Sequence, residues 1–332
     1  MTTVSVIIPV HDTEKFLGQC LASVLGQTLT GLEVICIDDG SSDASPALLD
    51  EAAACDGRLR VIHFDKNGGV SHARNTGLAL ATGKYVYFMD ADDWLDADYL
   101  EAMYAACESN GLDQAVNFNY VFEQETPLEA AACESEFTIK GAAGFRPSPQ
   151  IANHARCCTW MRMYRREFLL GSGLSFPEEI AASEDLYFSK IAELLQKNVY
   201  TLYGPAYHYR SRPGSLSKRN TFDHIIASRL FYDALRRRGI STTGIKLFYC
   251  EPLLTIDSAE KFGIIASFFA EIKPLWPKSL HLYTNFEGYC FHAVTGCRSF
   301  EEWCNKYPSG KPMPHYLRSI RKKDKVCCVS GN

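Results

Sequence analysis

Apolar positions in the first third of the chain follow two alternating periods. Val4–Ile8, Leu32–Ile37, Arg60–Phe64 and Tyr85–Met89 are short runs rich in β-branched or aromatic residues, and they predict buried strands. Between the first two, Phe16, Leu17, Cys20, Leu21, Val24 and Leu25 recur at helical spacing, with Asp12 or Thr13 placed to cap the helix. Ser45-Pro46 predicts a second helix with proline in its first turn. Ser71 opens a third, which Gly83 terminates. Strands alternating with helices of this length predict an α/β domain whose mainly parallel sheet carries helices on both faces. Right-handed crossovers then bring the strand C-terminal ends to one edge, and open sheets of this kind bind ligands there.

Beyond a helix at Asp96–Ser109 the periodicity weakens. Ala115–Phe122, Trp160–Tyr164 and Val199–Tyr203 read as strands, and Glu123–Glu136, with five glutamates, as a solvated hairpin tip or loop. From Thr221 the pattern is largely helical, including Phe222–Arg238 and Ile256–Ile272, which puts a boundary near Lys218.

The 332 residues are 46% hydrophobic and 22% charged, enough apolar surface to offset chain entropy on folding. A net charge of −5 argues against a protein that neutralises nucleic-acid phosphates, so no nucleic-acid partner is expected. No apolar run approaches the ~18 residues of a membrane span. The opening residues lack a basic leader and a cleavage site, which predicts a cytoplasmic protein with its 13 cysteines reduced. No CxxC pair occurs, and the cysteines read as small buried hydrophobes.

Chemistry concentrates at four places on the ligand-binding edge. Asp38-Asp39 follows the second strand; its carboxylates can accept hydrogen bonds from a base or ribose, or can serve the turn that follows. Asp90-Ala91-Asp92-Asp93 follows the fourth strand. Three carboxylates this close repel one another, and Mg²⁺ typically takes one or two carboxylates plus substrate phosphates. Helix capping by Asp93 or Asp96 explains one of these acids and leaves the rest for a divalent metal. In Asn67–Gly77, glycines precede a helix N-terminus and suit the approach of an anion, with Arg74 available to a nucleotide; a tight turn with a surface arginine is the alternative. Glu184-Asp185 opens a helix, where acids favour the dipole, and can also supply a general base. No GxGxxG motif follows a strand, which argues against a dinucleotide cofactor.

Taken in order, Val4–Val10, Ile37–Asp43, Asn67-Gly68-Gly69 through Asn75, Gly83–Asp93 and Glu184-Asp185 resemble the family 2 glycosyltransferases of the GT-A fold, of the bacterial polysaccharide and lipopolysaccharide type. His208–Ser217 is similar to the segment that closes the domain in many bacterial members. The resemblance implies a GT-A domain over 1–218, with a nucleotide-sugar half at 1–110 and an acceptor half at 111–218, then a mainly helical region at 219–332. It implies that Asp39 reads uracil, that the backbone near Pro9 and the Arg74 side chain line the nucleotide, and that Asp90 meets the ribose. Asp92 would hold Mn²⁺ or Mg²⁺, and Asp185 would be the catalytic base. Trp160, Arg162 and Glu184 would face the acceptor; His208, Arg210 and Arg212 would contact the diphosphate.

One base and one metal on opposite sides of the anomeric carbon give a single displacement with inversion, so an α-linked nucleotide sugar yields a β-glycoside. The expected partners are a nucleotide-sugar donor and a glycan or glycolipid acceptor. Transfer to a polyprenyl phosphate is an alternative. A sugar nucleotidyltransferase is another, but Pro9-Val10-His11-Asp12 stands where such enzymes carry a glycine- and arginine-rich loop. Near the C-terminal end, Arg318, Arg321, Lys322, Lys323 and Lys325 form a basic patch suited to peripheral contact with an anionic inner-membrane surface, or to a solvated tail.

Overall fold

The computed structural model describes residues 2–124, 143–147, 158–196, 198–211, 222–241, 256, 258–272 and 296–306. The basic patch, Arg212 and most of the glutamate-rich segment lie outside them. Contacts divide the chain into two compact units, Met1–Ser217 and Lys218–Asn332.

The strands of the first unit are β1 (Val4–Val10), β2 (Leu32–Asp38), β3 (Leu59–His63), β4 (Tyr85–Phe88), β5 (Trp94–Leu95), β6 (Gln114–Asn117), β7 (Tyr120–Gln124), β8 (Gly144–Pro147), β9 (Arg162–Arg165), β10 (Asn198–Leu202) and β11 (Tyr207–Ser211). Its helices are α1 (Glu14–Leu25), α2 (Ser45–Cys55), α3 (Val70–Leu80), α4 (Tyr99–Asn110), α5 (Arg166–Ser172) and α6 (Glu184–Leu194). Eight strands form one sheet in the order β3-β2-β1-β4-β9-β6-β10-β8. The four N-terminal strands pair in parallel, while β9 runs antiparallel between β4 and β6. A second sheet, β5-β11-β7, takes β5 and β11 from segments the apolar pattern leaves blank.

Alternation along the buried strands sends side chains to both faces. On one face Val6, Ile8 and Tyr87 pack with Leu17, Val24 and Met103 of α1 and α4. On the other, Gly77 of α3 lies so close to Ile7 that any Cβ there would meet the Ile7 side chain at 2.3 Å. Phe88 joins Phe176, Phe188 of α6 and Tyr164 in an aromatic cluster on that second face.

Several expectations are corrected. Helix α3 stops at Leu80, before Gly83. Gly83 serves close approach instead: its N–H donates to Ser5 Oγ at 2.8 Å, and an added Cβ would lie 2.7 Å from the Ser5 nitrogen. The run 115–122 is broken into β6 and β7, which belong to different sheets. Asn117 makes the break: its Oδ1 accepts from the Asn119 and Gly204 backbones, and its Nδ2 donates to the Pro205 carbonyl. Trp160 lies in a 3-10 turn, Thr159–Met161, and the strand begins at Arg162. The start of α1 is held by Asp43, which accepts from the Glu14 N–H at 2.9 Å, and the Glu14 carboxylate in turn accepts from the Ala44 N–H at 2.8 Å.

The second unit contains α7 (Phe222–Arg237), α8 (Ala259–Ile272) and α9 (Phe300–Lys306) among its described residues. Trp303 of α9 is fully buried, and its indole N–H donates to the Ile256 carbonyl. Arg236 of α7 pairs with Glu271 of α8 at 2.7 Å. Among the described residues no helix is long and apolar enough to cross a membrane.

Candidate active site

The C-terminal ends of β1, β2 and β4 meet at one edge, and the acids expected there divide into distinct tasks. Asp38 serves the turn: its Oδ1 accepts from the Ser41 N–H and its Oδ2 faces His63 Nδ1 at 2.7 Å. That bond, ahead of the burial that opposes it, raises the proton affinity of His63, whose Nε2 faces Asp50 at 3.1 Å. Asp39 is buried and locks two loops together, its carboxylate accepting the N–H groups of Gly68 at 2.6 Å and Gly69 at 2.9 Å. Gly40 between them has φ 66°, and a Cβ would sit 2.7 Å from the Asn67 nitrogen, so this turn requires glycine. Pro9 is the penultimate residue of β1, in register with Ile37.

The acidic triplet divides the same way. Asp90 pairs with Arg74 Nη2 at 2.8 Å. Asp93 is buried and accepts from the Tyr207 hydroxyl at 2.5 Å and the Arg210 N–H at 2.7 Å. Burial first, then the charges of Asp92 and Asp90, push its proton affinity well up. Asp92 keeps a half-buried carboxylate at the site, while its backbone carbonyl accepts from Arg210 Nε at 2.9 Å. Among the described residues no three His, Cys, Asp or Glu side chains gather into a metal cage. One accessible carboxylate nevertheless fits a hard divalent ion that completes its shell with diphosphate oxygens and water; Asp93 is committed to β11 and does not join it.

Arg74 of α3 is 4% exposed and reaches Glu184 Oε1 with Nη1 at 2.5 Å. Burial lowers its proton affinity, but Asp90, Glu184 and Asp185 more than offset this, so it stays cationic. Asp185, half-buried in the first turn of α6, accepts from the Leu186 N–H at 2.7 Å. Burial, then the neighbouring Glu184 charge, pushes its carboxyl up to about 7, against the pull of Arg74. That places it in the range suited to a general base near neutral pH. The residue before α6, Ser183, has φ 70°, an uncommon conformation for a side chain of this type and one that concentrates at functional sites.

Other expected contacts lie elsewhere. Trp160 is 3% exposed and stacks on Tyr207 at 4.3 Å, so it is core and does not face an acceptor. Arg162 is fully buried, paired with Glu193 through Nε and Nη2 and donating to the Cys158 carbonyl. Glu184 is turned toward Arg74. His208 stacks on Trp94 with both ring nitrogens facing carboxylates, Asp96 at 3.0 Å and Glu123 at 3.1 Å, so neither is presented to a diphosphate. The Arg210 guanidinium lies between the rings of Phe16 and Trp94, 4.7 Å from each, with Nη2 on Gln19 Oε1 at 2.8 Å. The sequence singles out neither Tyr207 nor Trp94, and Phe16 only as part of the apolar face of α1, because nothing in local spacing couples β11 to residues so far upstream.

Residues 5–170 match the model of the family described as Glycosyl transferase family 2. The chain belongs to glycosyl transferase family 2. The matched span holds Asp39, Arg74, Asp90 and Asp92, while Asp185 lies beyond it. Among family relatives, EpsH of Bacillus subtilis (strain 168), a protein named as a glycosyltransferase, is 32% identical over 225 residues, covering 65% of this chain and 63% of EpsH. The succinoglycan biosynthesis protein ExoO of Rhizobium meliloti (strain 1021) is 28% identical over 239 residues, covering 71% of this chain and 68% of ExoO. The chain therefore spans a little under two thirds of EpsH. In structure it is similar to S. aureus TarS 1-349 crystallised with UDP-GlcNAc, with a TM-score of 0.62, 21% identity, and coverage of 96% of this chain and 84% of that one. The likeness shows the fold: the mainly parallel sheet between helices is the GT-A arrangement of this family.

Proposed function

We propose that the chain is an inverting, metal-dependent glycosyltransferase. It moves a sugar from a nucleotide-sugar donor, a UDP-sugar first, to a hydroxyl of a glycan or glycolipid acceptor in polysaccharide synthesis. The observation that carries this reading is Asp185: a half-buried carboxylate with raised proton affinity, facing the Arg74–Asp90 pair at the strand end that bears Asp92. The UDP-GlcNAc bound to the structural neighbour TarS supports the donor class, and the name of ExoO supports the polysaccharide setting.

In this reading Asp185 takes the proton of the acceptor hydroxyl as its oxygen attacks the anomeric carbon, a contribution of ~10²–10⁴-fold. Asp39, fixed against Gly68 and Gly69, keeps the base-binding loops together. Arg210 holds the backbone of Asp92 through its carbonyl. Mn²⁺ or Mg²⁺ held by Asp92 would act as a Lewis acid on the departing diphosphate. Attack opposite the leaving group gives inversion and a β-glycoside from an α-linked donor. Residues 1–110 supply the donor side and 111–218 the acceptor side, in a cytoplasmic setting with the basic tail against the inner membrane surface. The test is a panel of UDP-sugars with Mn²⁺, comparing wild type with Asp185→Asn. Turnover should fall at least ~10²-fold with UDP affinity retained; an active Asp185→Asn would remove the inverting mechanism.

A further inference from the structure

Strand β11 returns to the acidic strand end in a fixed register. Tyr207 pairs with Leu95 and His208 with Trp94 of β5, in antiparallel sense. Continued by two residues, that register sets Arg210 opposite Asp92, and the bonds agree with it. The Arg210 N–H donates to Asp93 Oδ1 at 2.7 Å, and its Nε donates to the Asp92 carbonyl at 2.9 Å. The guanidinium is held from two further sides. It lies 4.7 Å from the ring centre of Phe16 on α1 and 4.7 Å from that of Trp94 on β5, and its Nη2 donates to Gln19 Oε1 on α1 at 2.8 Å. A planar guanidinium can stack on rings while it bonds within its own plane, which a lysine ammonium cannot do. One helical turn on from Phe16, the Cys20 thiol donates to the Asp90 carbonyl at 3.7 Å. Helix α1 and strand β11 thus grip the turn from Asp90 to Asp92 through main-chain carbonyls at both ends.

We propose that Phe16, Trp94 and Arg210 form a clamp that positions Asp92. The rings orient the guanidinium, the guanidinium fixes the Asp92 carbonyl, and the carboxylate of the same residue is thereby aimed. All three are positioning residues and not ligands of the metal or the donor. This rests on the reading of Asp92 as the carboxylate that holds the divalent ion. A carboxylate that shares the ion only with diphosphate oxygens and water has no neighbouring protein ligand to steady it, so its direction depends on how firmly the chain beneath it is held. Attraction of the cation to ring faces supplies that hold without adding an acid to those already at the strand end.

The experiment is calorimetry of UDP binding to the full chain in Mn²⁺ and in EDTA; the ratio of the two affinities measures what the metal adds. Asp92→Ala should abolish the difference. Arg210→Gln and Arg210→Lys should both lower the ratio about 10-fold, the usual loss when a residue that supports a metal ligand is changed, with affinity in EDTA as in wild type. Phe16→Leu, which leaves Arg210 and Asp92 in place, should lower it in the same sense by less. These results support the clamp. Binding in EDTA that is weakened by Arg210→Gln and restored by Arg210→Lys would make Arg210 a diphosphate contact and overturn it. A ratio kept by Arg210→Gln or by Phe16→Leu also overturns it, and leaves the metal reading standing where Asp92→Ala has lost the difference. If Arg210→Gln does not fold, Phe16→Leu decides alone. Equal wild-type affinities in Mn²⁺ and EDTA would remove the metal reading and the clamp together.

Discussion

Tyr207 reaches Asp93 across 114 positions of chain, its hydroxyl donating to the carboxylate at 2.5 Å in a buried setting. This bond, with the Arg210 N–H on the other oxygen, ties β11 to the acidic strand end. It explains why one member of an apparent metal-binding triplet is not at the site.

Removing the donor tests that assignment. Tyr207→Phe keeps the ring stacked on Trp160 and leaves Asp93 short of one partner. Urea unfolding should register a loss of about 1–3 kcal/mol, the usual cost of a hydrogen bond to a charged group or of leaving a buried acceptor unpaired. Full stability with lost turnover would instead make the hydroxyl part of the chemistry.

Asp185 makes stability depend on pH. Its folded carboxyl, at about 7, lies above the ordinary 3.8, so the folded chain binds more protons between those values. The stabilising contribution is complete below the ordinary value and is lost as pH rises through the folded one. Asp185→Asn carries no charge to desolvate. It should therefore be more stable than wild type at pH 8, by on the order of 1–4 kcal/mol, with the difference shrinking toward pH 4. Thermal unfolding at the two pH values checks the sign; equal stability at both would mean the carboxyl is not perturbed.

Arg162 and Glu193 should behave as a structural pair. Each side chain is 1% exposed. Arg162→Met alone should cost about 3–5 kcal/mol by stranding a buried carboxylate, and Arg162→Met combined with Glu193→Leu should recover much of it. Chemical denaturation of both variants measures the coupling. An acceptor KM that rises in the double variant while stability recovers would reinstate Arg162 as an acceptor contact.

Asp92 and Asp39 should separate by readout. Asp92→Ala should lose metal-dependent turnover and weaken UDP binding in Mn²⁺ but not in its absence, measured by calorimetry. Asp39→Ala should weaken UDP binding with or without Mn²⁺ and also lower stability by about 1–3 kcal/mol, since two backbone N–H groups lose their acceptor. Equal UDP affinity in wild type and Asp39→Ala would confine that carboxylate to the loop.

The sequence by itself determined the N-terminal architecture. Three buried strands, the half-exposed edge strand β3 and the helices between them carry their periodicity in neighbouring residues, and local spacing is enough to read it. It also brought Asp39, Asp92 and Asp185 to notice, because strand ends and helix starts are local features. What only the tertiary structure decided is which of several nearby side chains faces the site. Trp160, Arg162 and His208 carry side chains that a ligand could use, and all three are instead satisfied within the protein by partners such as Tyr207, Glu193 and Asp96. That Arg74 meets Glu184, 110 positions away, on its other arm is likewise a product of the fold. Strands β5 and β11 of the small sheet escaped the pattern for the same reason: they are short and pair with distant segments. Burial and ion pairing between remote residues are set by how the sheets and helices pack, and no local period encodes them.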